Sequence, residues 1–435
     1  MVLQMPRLFL TLSLLLMAAP EAKQPPTARQ QFENFQAKLK ESRAGRDWRS
    51  GLESAKDLKE LLNGSPDSLL EVARAEVHAG DLKAAFDELE RFVRMGQFTD
   101  LLDTSTEFAP LHEGERSAAI RSGMKANRSP ISLAVTAFAL PAPGLLAEDV
   151  DCDPHTKRFF ITSVREKKVI AVDDKGTSSD FAKAPDNWPM LAIKIDPSAD
   201  VLWATEVAMQ GFSLAPEPDW GRSAVLGYDL KTGKLLCRIE GPKGSALGDM
   251  ALTANGDVIV SDGEGGGVYR LPAKGTALER LDNGDFISPQ TPAMHPDGKH
   301  IFVPDYARGI GVLEIATKQV RWLSMEERFA LNGIDGLYFD RGTLIAVQNG
   351  TAPERVVAFA LDATLMKVMS ETVIERATDT LGDPTHGVVV GNDFFYIANS
   401  GWDVTDDHGN LKPGAKASVP RIMRSHFTGG SWGDH

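Results

Sequence analysis

The chain has 435 residues and a net charge of −13, which gives length enough for two domains and the wrong sign for a nucleic-acid partner, since phosphate binding needs a basic patch. The acidic balance suits a metal cation better. Two cysteines, Cys152 and Cys237, allow at most one disulfide, with buried free thiols as the expected state, and no CxxC or Cys/His zinc spacing is present.

The N-terminus, "MVLQMPRLFLTLSLLLMAAPEAK", carries one Arg and an apolar run from Leu8 to Met17 followed by small residues. That run is too short to span a bilayer, so residues 1–22 read as a signal peptide cleaved between Ala18 and Ala22, with a membrane anchor as the alternative. No later segment approaches the roughly 18 consecutive apolar residues of a transmembrane helix. The expected product is periplasmic or secreted, with no membrane span after cleavage.

Residues 26–126 have hardly any strand signal and place apolar residues such as Leu82, Phe86, Leu89 and Phe92 at helical spacing. Within them "AGRDWRSGLESAKDL" and "AGDLKAAFDELERFV" put Gly45 and Gly80 35 residues apart, near the tetratricopeptide period. A small helical, tetratricopeptide-like domain is expected. It is either a groove for a protein partner or a cap that supports the neighbouring domain.

From about 130 the texture changes to short β-branched and aromatic runs separated by Gly, Pro, Asn and Asp, the pattern of many antiparallel strands. Six hairpin passages begin at 148, 191, 248, 290, 335 and 386, spaced 42 to 57 residues apart. That is one propeller blade plus loops. The predicted fold is therefore mainly β, a six-bladed β-propeller over 130–427 behind the helical domain. The last blade lacks an outer strand after "VPRIMRS", and "LAVTAFAL" (133 to 140) lacks a partner, so the two are expected to pair and close the ring.

In such a ring the residues that open each passage surround one mouth of the central channel: Glu148 with Asp149, Leu191, Gly248 with Asp249, Gln290 with Thr291, Asp335 and His386. Those closing the passages, including Glu206, Asp262, Asp305, Asn349 and Asn399, lie further out on the same face. Carboxylates this close repel one another unless protonated or bridged by a cation, and hard oxygen ligands suit calcium. Turn preference alone also places Asp and Asn at strand ends. Asp249 lies one place beyond the aligned position, where strand alternation could turn it away. His386 could be a ligand, an acid/base group or a wall residue. Two long connections from the same face add aromatics: Phe212 and Trp220 from 207–223, and Trp402 from 400–416.

The hairpins "GDMALTANGDVIVSDGEGGGVYRL", "NGIDGLYFDRGTLIAVQNG" and "PTHGVVVGNDFFYIANSGWD" resemble the six-bladed propellers of the regucalcin, gluconolactonase and luciferin-regenerating-enzyme superfamily. The resemblance spans roughly residues 130 to 427 and leaves the helical domain out. It implies a divalent cation at the channel mouth, commonly calcium, that polarises a small-molecule lactone or ester; zinc and manganese are the alternatives. Glu148 and Asp335 match the family's acidic ligands, while Gly248 stands where an Asn is expected and Gln290 is the nearest amide. Asp249 is then a third ligand or, with His386, a candidate base for water. Gln290, Phe212, Trp220, Asn349, Asn399 and Trp402 are the expected substrate contacts. The competing expectation is a non-catalytic propeller that recruits a partner through its helices.

Overall fold

The computed structural model describes residues 25–173, 175–428 and 431–433. The signal-peptide reading at 1–22 lies outside them. No described helix is long and apolar enough to cross a membrane.

Among the described residues six α-helices precede the strands: α1 (Ala28–Gly45), α2 (Trp48–Leu61), α3 (Pro66–Ala79), α4 (Leu82–Arg94), α5 (Leu101–Thr104) and α6 (Glu115–Asn127). The repeat seen in the sequence has a local cause. Asp47 and Asp81 cap α2 and α4 by accepting the amides of Ser50 at 3.2 Å and Ala84 at 3.0 Å, and each follows a left-handed residue, Arg46 or Gly80, that ends the helix before it. Two helix pairs result.

The remaining chain forms six antiparallel sheets, one per predicted passage. Their innermost strands begin at Ala147, Met190, Leu247, Ala293, Gly336 and Gly387. The closure holds as expected, because Val135–Ala139 pairs with Arg421–Thr428 on the outside of blade six. Just before it, Ile131–Ser132 pairs with Val368–Arg376 as a fifth strand of blade five, so one short stretch of chain ties two neighbouring blades together. Buried side chains of adjacent blades fill the space between them; Met190, Ile193 and Leu226 of blade two pack with Phe160 and Val169 of blade one. Cys152 is buried and Cys237 half-buried, and both are free thiols.

The helical domain docks on the mouth face of the ring. Ala28 donates its amide to Gly284 at 2.9 Å, Asn63 donates to the Arg308 carbonyl at 3.0 Å, and Arg308 returns a bond to the Leu61 carbonyl at 2.9 Å. Ile287 and Ala307 pack into the core of α1 and α2, and Ala330 into that of α3, α4 and α6. These residues belong to mouth-side connections of blades three, four and five. The helices therefore wall one side of the mouth, and the connections 209–220 and 402–416 wall the other.

Candidate metal centre at the channel mouth

The backbone decides what reaches the mouth. In blades one and three the first strand slips register against its neighbour, between Ala147 and Val150 and between Leu247 and Asp249. Such a bulge adds a residue and re-aims the side chains before it. Glu148 consequently faces the mouth while Asp149 turns to the next blade, accepting the Ile193 amide at 2.8 Å and Lys194 Nζ at 2.7 Å. The bulge beside Gly248 likewise brings Asp249 inward, against the alternation of a regular strand. Blades five and six need no bulge: Asp335 and His386 directly precede strands that run in plain register.

Ligand atoms of Glu148, Asp335 and His386 lie within 4.8 Å of one another. His386 is buried at 1% exposure, and both its ring nitrogens are engaged: Nδ1 with the Glu148 carbonyl at 2.8 Å and Nε2 with Asp249 Oδ1 at 2.6 Å. Thr291 Oγ1 donates to the same Asp249 oxygen at 2.7 Å. Asp335 Oδ1 stands 4.0 Å from His386 Nε2, and its Oδ2 accepts Asn349 Nδ2 at 2.8 Å. Trp402 Nε1 donates to Glu148 Oε2 at 2.5 Å.

Charge here is strongly displaced from its usual balance. Burial, and then the Asp335 charge, push the Glu148 carboxyl up, and burial does the same to Asp335 against the pull of His386. Burial disfavours a charged His386, but Asp335, Asp149 and Asp249 together outweigh it and raise its pKa well above the usual value. Behind this group Asp383 is pushed up to about 7 by burial and by Asp335 and Asp403. Acids crowd one point, and their charges favour the protonated form of His386 against the cost of its burial.

A divalent cation fits that donor set. Two carboxylates and an imidazole nitrogen come from three different blades, and the glycine that replaces the expected Asn in blade three leaves room, since a Cβ on Gly248 would meet nothing closer than Leu191 Cδ1 at 3.8 Å. Calcium takes oxygen donors, whereas a nitrogen in the set suits zinc or manganese.

Other predicted contacts divide. Asn349 and Trp402 support the acids directly, and Phe212 packs at a tilt against Trp402 with ring centres 5.4 Å apart. Gln290 is turned into its own loop, donating to Ser288 Oγ at 3.0 Å. Asn399 pins the return of the 402–416 connection through Val419 and Arg421, and Trp220 packs against Trp188 and Ala215. None of these three bonds Glu148, Asp335 or His386. Asp249 lies outside the three-ligand group but bonds His386 Nε2.

Sequence reasoning missed Tyr306 and Asp383. The Tyr306 hydroxyl donates to Asn349 Oδ1 at 3.0 Å, and its ring lies so close to Gly350 that a Cβ there would sit 2.5 Å from it. Its position one residue past a strand-closing acid, in "VPDYARG", was the available signal.

No protein-family model matches the chain, and no curated protein matches it. Among solved structures it is similar to a gluconolactonase from Xanthomonas campestris (14% identity, 67% of this chain and 88% of that one, TM-score 0.47). It is also similar to the calcium-binding protein regucalcin from Agrobacterium tumefaciens (13%, 68% and 95%, TM-score 0.48). A third is the PQQ-bound aldose sugar dehydrogenase from Streptomyces coelicolor (13%, 68% and 97%, TM-score 0.47). At 13–14% identity and TM-scores below 0.5 these likenesses carry no chemistry, which is argued from the site.

Proposed function

We propose that the protein is an exported, divalent-cation-dependent hydrolase of a lactone or ester. The observation that carries this reading is the meeting of Glu148, Asp335 and His386 within 4.8 Å at the channel mouth. The apolar run from Leu8 to Met17 supports export. Zinc or manganese suits the donor set better than calcium, for the nitrogen it contains.

A cation held by Glu148, Asp335 and His386 would supply Lewis-acid polarisation of the substrate carbonyl. The chain's own groups do the rest. His386 donates Nδ1–H to the Glu148 carbonyl, which fixes the ring and its tautomer; with a cation bound, Nε2 would lose its proton and exchange its bond to Asp249 Oδ1 for the metal. Asp249 is the base: Thr291 holds its Oδ1, and its Oδ2 accepts no hydrogen bond from a described residue. A proton leaves the attacking water for Asp249 as the oxygen bonds to the carbonyl carbon, and returns to the alkoxide released when the ester C–O bond breaks. Trp402 and Asn349 hold Glu148 and Asp335 against rotation.

The test is turnover of aldonolactones and aryl esters by chelator-treated protein with added zinc, manganese or calcium, alongside calorimetric titration of each ion. Cation-dependent turnover is expected. A bound ion with no turnover above the metal-only control on any substrate replaces the hydrolase with a non-catalytic binding propeller.

A further inference from the structure

The wall built by the helical domain contains a groove of about 480 Å³, within the range of small-molecule sites. Phe32 and Leu39 of α1, Leu58 of α2, Leu62 and Leu70 line it, and Ala307 of blade four closes its propeller end. Ala307 follows Tyr306, whose hydroxyl reaches Asn349, the residue that holds Asp335. Burial raises the Tyr306 pKa, and Asp335 from the mouth and Asp67 from the groove both add to the rise, so acids of the two chambers act on one hydroxyl. Groove and cation site thus adjoin across Tyr306.

The lining says what fits. Arg43 is paired with Glu71, and Arg74 with Glu71 and Glu107, so these charges are already matched and the floor is hydrocarbon. Gln36, Lys40 and Asp67 lie at its exposed rim, so a peptide backbone laid on the floor would bring inward amides and carbonyls that find no partner there. An alkyl chain brings none.

We infer that this groove is the chain subsite of the mouth, taking the hydrocarbon tail of an amphiphilic ester or lactone whose carbonyl lies at Glu148, Asp335 and His386. The inference rests on the hydrolase reading for the carbonyl end only; the groove's preference for an alkyl chain stands apart from it.

The experiment is calorimetric titration of the full chain with γ-butyrolactone, γ-octalactone and γ-decalactone in chelator, where no cation-dependent turnover intervenes. Each methylene that is buried should tighten binding by up to about fourfold. γ-Decalactone should therefore bind at least about tenfold more tightly than γ-butyrolactone. Gln36→Trp fills the groove from an exposed position of α1, and Leu70→Gln makes its wall polar. Both should cut the chain-length preference below about threefold and leave γ-butyrolactone unchanged, with melting temperatures confirming that each variant is folded. Equal affinity for all three lactones in wild type, as a groove reserved for a protein segment would give, overturns the inference. So does a chain-length preference that survives both substitutions. If the preference behaves as expected but no lactone is hydrolysed with any cation, the hydrolase reading fails and the chain subsite stands.

Discussion

Blades one and three deliver their acids to the channel mouth through a bulge, whereas blades five and six deliver Asp335 and His386 in plain register. The two routes end at one point but tolerate different changes. A bulged residue is aimed by one extra residue in the strand, so a deletion there turns the side chain to the other face. An unbulged residue at a strand entrance is aimed by the loop before it. Blade two shows that a bulge alone makes no ligand: its register slips between Met190 and Ile193, yet Leu191 is what it presents, and the acid opposite Met190, Glu206, is paired with Arg238 at 3.1 Å.

The largest effect should come from the ligands themselves. Glu148→Gln and Asp335→Asn should each remove cation-dependent turnover and the calorimetric signal of ion binding. The same substitutions should raise the melting temperature in chelator, because each removes one of two buried acids that repel. A variant that melts lower in chelator and still binds zinc would show that charge crowding is not what defines this site.

The comparison of routes is sharpened next by Asp249. Asp249→Asn keeps the shape and can still accept from Thr291 and His386, but it cannot take a proton. Its rate should fall by on the order of 10²- to 10⁴-fold with ion binding retained. Deleting Gly248 should straighten blade three and cost as much activity, because Asp249 would then leave the mouth. Kinetics and ion titration of the two variants side by side decide it; a Gly248 deletion with full activity would mean that the bulge aims nothing. His386→Ala is a poorer probe, since it strands the buried Asp249 carboxylate at a cost of about 3–5 kcal/mol.

A smaller change is expected from Trp402→Phe, which loses the bond from Nε1 to Glu148 while keeping an aromatic ring against Phe212. Loss of an orienting partner of a metal ligand should weaken ion affinity about 10- to 100-fold without abolishing turnover at saturating metal. Titration of zinc into the apoprotein reads this directly.

The smallest effect concerns blade two. Burial pushes Glu206 from 4.5 up to about 7, so between those values the folded chain holds a proton that the unfolded chain has released. Stability should therefore fall as pH rises from about 4.5 to about 7, by at most about 3 kcal/mol from this group. Glu206→Gln should flatten that part of a melting-temperature profile taken in chelator. A slope unchanged by the substitution would assign the titration to other buried acids.

Much of the architecture was legible in the chain itself. Six hairpin passages at blade spacing, an unpaired strand at 133–140 and two Gly-to-Asp helix repeats follow from local rules of turns, alternation and capping, and local rules can be read from neighbouring residues. Glu148, Asp335 and His386 were legible for the same reason, as the residues that open their strands. The aim of Asp249 was not, because a bulge depends on how one strand sits against another. Nor could the sequence separate Trp402, which bonds Glu148, from Trp220, which packs on Trp188, since both are aromatics in long mouth-side connections. The docking of α1 to α3 beside Tyr306 was likewise decided only in three dimensions: it rests on contacts between residues such as Leu61 and Arg308, 247 positions apart, and no periodicity in either segment encodes their meeting.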